Sequence, residues 1–223
     1  MDMSIIAGSG IRIGTPFYLD ANGVTVKLKA GESVGATGLV EGDTSGTIYT
    51  AVDNATLFAM DADTDDYTKL CTTLVTDLTS LFANSNFNQN INSWDVSNVT
   101  SLEKTFRNSY FNQPLHSWNV INVVNMYLTF SGSNFNQNIN SWNTNAVENI
   151  RLLFQGTPFN QPLYNWDVSN ITVSNKIDKV FSGTPFNQDI SMWCVQNITS
   201  EPINFRFRCP LTNNNSPNWG APC

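Results

Sequence analysis

The sequence predicts an α/β solenoid built from repeats of about 24 residues, each with a short parallel strand and a short helix, and preceded by a β-rich N-terminal cap. Three observations predict this fold class. The tripeptide Phe-Asn-Gln recurs five times, a Trp follows every copy at a fixed distance, and a second Phe precedes every copy. A period this short suits one turn of a solenoid, because a pair of packed helices needs about 34 residues.

The repeats keep their spacing over more than a hundred residues. Phe-Asn-Gln begins at Phe87, Phe111, Phe135, Phe159 and Phe186, in steps of 24, 24, 24 and 27 residues. A single unit cannot bury its rings, so we expect stacked units to bury them as continuous ladders. The Trp of each repeat lies seven residues after this Phe, and the second Phe lies five residues before it: Trp94, Trp118, Trp142, Trp166 and Trp193; Phe82, Phe106, Phe130, Phe154 and Phe181.

Within one repeat the apolar spacing predicts two elements. The strand is placed at 91–96, with Trp94 and Val96 pointing inward and Asp95 and Ser97 outward. Apolar residues spaced by three to four predict one or two helical turns at 100–106. Glycines two residues after the second Phe, in three repeats, are interpreted as helix C-caps. The Asn-Gln pair of each repeat is expected at an inner corner, where its amides satisfy backbone groups of the neighbouring repeat.

The chain divides into three predicted parts: 1–75 as a β-rich cap and attachment domain, 76–200 as the repeats, and 201–223 as a C-terminal cap. An Asn-Gly turn at 22–23 predicts a hairpin over 18–29. A strand follows at 47–52 and a short capped helix at 54–60. The three additional residues near 172–178 indicate a surface loop, for which tolerated drift is favoured over a binding feature. The first eleven residues do not have the pattern of a secretory signal.

Composition and charge exclude several classes of function. The formal net charge is −7, from 11 Lys plus Arg against 18 Asp plus Glu, which disfavours binding to nucleic acid. Charged residues make up only 13%, about half the ~25% usual in soluble domains, so the surface must be rich in amides and hydroxyls. No apolar run is long enough for membrane insertion. With a single His, most metal, acid–base and nucleophilic schemes are excluded, and no metal, cofactor or catalytic residue is expected.

Four cysteines allow three complete pairings, and three of them lie in the last repeat and its tail. We expect a disulfide between Cys194 and Cys223 that holds the tail against the repeats, with Cys209 as the alternative partner. Cys71 is expected to be a buried free thiol. A bridge would indicate an oxidising destination for the protein.

Two sets of acidic residues are candidates for a functional site, one for calcium binding and one for glycoside hydrolysis. The run 61–66 begins like a calcium loop but lacks its Gly and its final Glu, so a solvated acidic turn is favoured and a weak calcium site stays open as the alternative. Asp95 and Asp167 occupy the same outward column but lie three repeats apart. At ~4.8 Å per repeat that is ~14 Å, too far for the paired carboxylates of a glycosidase.

The repeats carry a resemblance to a known family. The units Phe-Asn-Gln-Asn-Ile-Asn-Ser-Trp-Asp-Val-Ser-Asn-Val-Thr at 87–100 and Phe-Asn-Gln-Pro-Leu-Tyr-Asn-Trp-Asp-Val-Ser-Asn-Ile-Thr at 159–172 resemble the BspA-like, mycoplasma-lipoprotein-type surface repeat. The resemblance covers about residues 70–200. It implies a leucine-rich-repeat-like right-handed solenoid, as found in bacterial surface adhesins and in proteins of viruses and phages. The family has no catalytic residues to carry over.

These observations together predict a non-enzymatic structural or binding module displayed on a surface, as a virion decoration, fibre or tail-associated protein that contacts a host surface. Its partners would be a protein or glycan on a host or neighbouring surface and, through the N-terminal domain, viral structural proteins. The alternatives are a BspA-like bacterial cell-surface adhesin and a carbohydrate-active enzyme on a solenoid scaffold. The protein would lie on a virion or outside a cell. The expected binding face comprises Asp95, Ser97, Asn119, Asn143, Asn145, Asp167 and Ser169.

Overall fold

A computed structural model gives the structure of the protein and describes residues 5–7 and 11–223. Residues 1–4 and 8–10, which belong to the predicted cap and to the stretch interpreted as lacking a secretory signal, lie outside the described residues. Strands β1 (Ile5–Ala7) and β2 (Ile11–Ile13) pair antiparallel. In the described part of the chain, no helix is long and apolar enough to span a membrane.

The predicted hairpin is confirmed. Strand β3 (Phe17–Leu19) pairs antiparallel with β4 (Val26–Leu28) across the Asn-Gly turn. Gly23 takes a φ of 68°, a left-handed conformation that glycine adopts without strain. The Asn22 side chain closes the turn, because its Oδ1 accepts the N–H groups of Val24 and Thr25, both at 2.9 Å.

A small mixed sheet connects the hairpin region to the repeats. Its strand order is β5 (Thr37–Leu39), β6 (Ile48–Ala51) and β7 (Leu70–Cys71), with β5 antiparallel and β7 parallel to β6. Helix α1 (Asn54–Phe58) follows β6 and is capped by Asp53, whose Oδ1 accepts the N–H of Thr56 at 2.8 Å. The strand expected at 47–52 and the short helix expected at 54–60 are therefore present with these bounds.

The predicted fold class, an α/β solenoid of leucine-rich-repeat type with a strand and a helix in every coil, is wrong. Among the described residues the regular structure consists of small antiparallel and mixed sheets and one five-residue helix, all before the repeats. Beyond β7 the chain forms turns, two 3₁₀ turns (Ser174–Lys176 and Asn213–Asn215) and isolated bridges. The single-residue parallel bridges join Asp77 to Ser101, Ser101 to Asn125 and Asn125 to Asn149.

Backbone conformation explains why no helix forms at 100–106. Lys104 and Asn108 have φ values of 56° and 53°, so a left-handed residue recurs every fourth position, which neither a helix nor a strand tolerates. The N–H groups alternate in direction: that of Lys104 donates to Tyr127 in the next repeat at 2.9 Å, and that of Thr105 donates back to Leu102 at 3.2 Å. The same positions are left-handed in the other repeats: Ser80, Asn84, Leu128, Gly132, Leu152, Gly156, Lys179 and Gly183.

The segment at 91–96 is likewise a turn and not the predicted strand, since the Trp94 N–H donates to the Ile91 carbonyl at 3.1 Å. The expected burial of the rings is nevertheless found. Phe106 and Phe130 stack at 5.6 Å between centroids, and Trp118 and Trp142 stack at 6.3 Å. These equivalent rings of successive repeats form one hydrophobic core. We call the stacked repeats at 76–200 the repeat stack.

The tail covers the end of the repeat stack. Phe205 is fully buried and packs edge-on against Phe181 at 5.4 Å and against Trp219 at 5.0 Å. Phe207, in the same tail, is 52% exposed. The division of the chain at 75 and 200 stays a prediction.

Candidate binding face

The residue directly after the Trp closes the same turn in four repeats. Its Oδ1 accepts the backbone N–H two residues later, at distances of 2.8–3.3 Å. One atom of each head group is thereby used by the fold, and in the exposed Asn119 and Asn143 the other terminal atom is left for solvent or a ligand. The four residues are Asp95, Asn119, Asn143 and Asp167.

Asp95 does not lie on an open face, and its expected outward exposure is not found. It is 2% exposed because the β3–β4 hairpin packs over it, with the Val26 N–H donating to the Ser93 carbonyl at 2.9 Å. Burial lowers the pKa of Lys27 on this hairpin, but the carboxylates of Asp95 and Asp20 outweigh it, so the pKa is raised. The packing of the hairpin thus buries this predicted binding residue near Lys27, whose ion pair is with Asp20 at 3.2 Å.

The remaining predicted residues lie side by side on one lateral surface. Asn119, Asn143 and Asn145 are exposed, whereas Asp167 is half-buried. The Oγ1 of Thr144 bonds both the N–H and the carbonyl of Asp167 at 2.9 Å, which holds the two repeats in register. We call this surface the lateral amide face; Ser97 and Ser169, both half-buried, lie at its edges.

The head groups of the lateral amide face are free to bind. Within the described residues the Nδ2 groups of Asn119, Asn143 and Asn145 have no hydrogen-bond partner. The face therefore presents amide donors, with a carboxylate at one end where Asp167 lies. This arrangement suits polar recognition of hydroxyl or carbonyl groups and carries little charge.

Other asparagines are consumed by the fold, as expected for the inner corner. The Oδ1 of Asn88 accepts the N–H of Asn112 at 2.9 Å, and Asn112 does the same for Asn136. This ladder continues to Asn160, so these amides hold neighbouring repeats together and are not available to a ligand.

The expected disulfide is present. Cys194 and Cys223 are bonded, with a Cα–Cα distance of 5.3 Å and a sequence separation of 29. Cys209 is free and half-buried, and its thiol donates to the Phe186 carbonyl at 3.1 Å. Cys71 is free and buried, and this burial raises the pKa of its thiol.

The carboxylates of the acidic run at 61–66 accept backbone N–H groups of the run itself and of the first repeat. Asp65 accepts the N–H of Asp61 at 2.8 Å, and Asp63 accepts the N–H of Asn86 at 2.7 Å. In residues 5–7 and 11–223, no group of three or more His, Cys, Asp or Glu side chains could hold a metal ion.

Sequence reasoning missed a groove on another side of the repeat stack, with a volume of about 440 Å³. Arg107 and Arg208 line it together with Gly132, Gly156 and Gly183. The signal was visible in the sequence as glycines two residues after the second Phe, but these glycines were interpreted as helix C-caps. We call this feature the glycine groove.

The fold and the lateral amide face define a repeat protein held together by aromatic and amide ladders. In comparison with known families, residues 49–158 and 123–219 match the family described as Mycoplasma protein of unknown function, DUF285. The two matches together cover about three quarters of the chain, and the chain belongs to this family. No curated protein and no solved structure matches it in the corresponding searches.

Proposed function

We propose that the protein is a non-enzymatic binding module displayed on an exterior surface, as a decoration, fibre or tail-associated component of a virion that contacts a host surface. The observation that carries this proposal is the lateral amide face. Asn119 on one repeat and Asn143 and Asn145 on the next are exposed, and their Nδ2 groups have no partner in the described part of the chain. Residues 1–75 would be the side that attaches to viral structural proteins.

Rigidity supports a binding role for this face. The head groups of Asn119 and Asn143 are each fixed by their own turn, and the repeats beneath are held together by stacked Trp rings such as Trp118 and Trp142. A preorganised row of donors loses little conformational entropy on binding, which favours recognition of a repetitive polar surface.

The two carboxylates that directly follow a Trp of the repeats support a structural and not a catalytic role. Asp95 and Asp167 both use Oδ1 to close a turn, and Asp95 is buried. They lie three repeats apart, at about 6 Å per repeat along the Trp ladder, beyond the ~9.5 Å limit for a glycosidase pair.

A bacterial cell-surface adhesin of the BspA-like type is the second candidate. The match to a family described from Mycoplasma, a bacterial genus, favours it. The repeat unit at 87–100 also resembles the BspA-like pattern residue by residue. Both candidates share the lateral amide face as the binding surface and differ in where the protein is displayed.

Immunogold electron microscopy with an antibody against the protein separates the two candidates. The native source cells and the particles they release are labelled in parallel. Label on particles is the expected result. Label confined to the cell envelope would favour the adhesin, and label confined to the cell interior would contradict both.

A second experiment tests the lateral amide face itself. The double variant Asn119→Asp/Asn143→Asp keeps the Oδ1 that closes each turn but replaces the outward donor with a charged acceptor. Asn138→Asp is the matched control, because Asn138 is exposed and its Oδ1 closes an equivalent turn to Asn140 at 2.9 Å, away from the face.

Fluorescently labelled protein is added to intact host cells and binding is measured by flow cytometry. We expect the double variant to lose at least tenfold in affinity and Asn138→Asp to bind like the native protein. Equal losses in both variants would contradict the assignment of the face. Release of reducing ends from added polysaccharide, abolished by Asp167→Asn, would contradict the non-enzymatic role.

A further inference from the structure

The glycine groove carries positive charge on an acidic protein. The chain has a formal net charge of −7, yet Arg107 and Arg208 line this groove and no Asp or Glu is among its lining residues. The nearby Arg206, in contrast, is neutralised within the fold, because its guanidinium pairs with Glu201 at 2.9 Å. The charges of the groove are therefore not explained by pairing within the fold.

The two guanidinium groups are unpaired. Within the described residues neither Arg107 nor Arg208 makes a side-chain hydrogen bond or an ion pair, and Arg208 only lies over the Phe207 ring at 5.2 Å. The side-chain amide of Gln155, between them, also has no partner. A guanidinium offers five donors in a planar fork that matches a carboxylate or a sulfate.

The glycines of the groove are not required by the backbone. Asn108 occupies the equivalent position one repeat before Gly132 with a φ of 53°, so a side chain is tolerated in this conformation. A Cβ placed on Gly156 would meet no atom within 4 Å, so packing does not require glycine there, whereas a Cβ on Gly132 would clash with the Asn108 side chain. What these glycines provide is an open floor between the two arginines.

The spacing of the charges indicates the class of ligand. Arg107 and Arg208 lie four repeats apart, which is roughly 22–25 Å at the 5.6–6.3 Å between stacked rings of successive repeats. A nucleic acid strand carries one charge every ~3.4 Å and is bound by denser clusters of basic residues. Sparse charges separated by polar amide and hydroxyl side chains suit a chain whose acidic groups alternate with hydroxyls.

We infer that the glycine groove binds an anionic polysaccharide along the axis of the repeat stack. Arg107 and Arg208 would each hold a carboxylate or sulfate group, and Gln155 would hydrogen-bond the hydroxyls between them. The Phe207 ring, 52% exposed at the rim, offers an apolar surface for the C–H face of a sugar. This site lies apart from the lateral amide face and does not depend on it.

Isothermal titration with a hyaluronan octasaccharide, which carries one carboxylate per disaccharide between hydroxyl-bearing rings, tests the inference on the full chain. We expect the native protein to bind with an affinity that falls as salt is raised, because ion pairing dominates. The double variant Arg107→Gln/Arg208→Gln is expected to lose at least tenfold. Lys69→Gln is the control, since it removes one exposed positive charge near the N-terminal sheets, where Lys69 pairs with Asp66.

Gly156→Asn tests the open floor independently of charge. Asn84 and Asn108 show that the repeat accepts Asn at this register, so the variant should fold with a native circular dichroism spectrum and bind the octasaccharide at least tenfold more weakly. Asn119→Asp/Asn143→Asp should bind it like the native protein, which separates failure of this inference from failure of the proposed function.

Three results would overturn the inference: no binding of the octasaccharide by the native protein at low salt, an equal loss in Lys69→Gln, or tighter binding of polyglutamate or of a thymidine oligonucleotide than of the octasaccharide.

Discussion

The indole Nε1 of Trp118 donates to the backbone carbonyl of Ile91, one repeat earlier, at 3.0 Å. Both residues are buried, so water cannot replace this bond. The same bond recurs from Trp94, Trp142, Trp166 and Trp193, at 2.9–3.0 Å. Tryptophan therefore does more than fill the core: its indole N–H gives a second hydrogen bond to a carbonyl that already accepts the backbone N–H of its own turn.

Trp118→Phe should lower the free energy of unfolding by about 2 kcal/mol, from one lost buried hydrogen bond plus lost ring volume, while the Ile91 carbonyl keeps the bond from the Trp94 N–H. Urea unfolding followed by circular dichroism measures the change. Trp219→Phe is the control, because Trp219 is half-buried at the tail and its Nε1 has no partner in the described residues. Equal losses in the two variants would show that the indole bond contributes nothing.

The asparagine ladder gives a second prediction. The Oδ1 of Asn136 accepts the Asn160 N–H at 2.9 Å and the Gln161 amide at 3.2 Å. Asn136→Ala should cost about 1–2 kcal/mol in urea unfolding, because two donors lose their acceptor. Asn136→Asp retains the acceptor and should recover most of the loss. Asn134→Ala, at an exposed position two residues away, should be neutral; a comparable loss there would refute a specific ladder contribution.

The sequence allowed the buried rings to be predicted because each ladder depends only on the period. Phe106 and Phe130 lie 24 residues apart, at the same position of successive repeats. Because a single repeat cannot bury its ring alone, the two rings bury each other by stacking. The hairpin at 18–29 was predictable for a local reason, since an Asn-Gly pair selects its turn.

The conformation of the repeat could not be predicted in the same way. Lys104 and Leu128 take left-handed φ values, which such residues adopt rarely. Their residue types therefore gave no indication of a left-handed conformation. The resulting succession of turns places apolar residues three to four apart, which is also the spacing of a helix. Periodicity therefore indicated a helix where interrepeat hydrogen bonds enforce turns.

The candidate sites were predictable only in part. The spacing brought Asn119 and Asn143 to one face, but it could not show that the hairpin covers Asp95, because that contact joins Val26 to Ser93 over a long stretch of chain. The glycine groove was hidden for another reason: its arginines come from the second repeat and from the tail, and only the stack aligns them.

The disulfide should stabilise the C-terminal end of the stack. Closing a loop with a separation of 29 residues is worth about 3 kcal/mol in the chain-entropy picture. Cys194→Ser should therefore lower the free energy of unfolding by about that amount, and a reductant should do the same to the native protein but not to the variant. Cys209→Ser is the control and should unfold like the native protein with the bridge intact.

Peptide mapping after alkylation in denaturant checks the pairing directly. Modification is expected at Cys71 and Cys209 only, since these thiols are free. A peptide linking Cys194 to Cys209 would contradict the observed connectivity.

Tyr67 links the acidic turn to the aromatic core and should make stability depend on alkaline pH. Its ring is fully buried against Phe82 at 5.0 Å and Phe87 at 5.3 Å, and its hydroxyl has no hydrogen-bond partner among the residues that the structure describes. Burial, reinforced by the charges of Asp65 and Asp61, raises the pKa of Tyr67 to about 12 from an ordinary value of 10.0.

Proton linkage determines whether the stability of the fold rises or falls with pH. Below about pH 10 the phenol is protonated in both the folded and the unfolded chain, so its contribution to stability is constant. Between about pH 10 and pH 12 the unfolded chain releases the proton and the folded protein retains it, so stability falls as pH rises. Tyr67→Phe removes this contribution, and at pH 7 it should cost little because the hydroxyl makes no bond to lose. Urea unfolding of both proteins from pH 9 to pH 12 measures the difference: the native protein should lose stability more steeply than Tyr67→Phe, and parallel profiles would show that Tyr67 ionises as readily in the folded as in the unfolded chain.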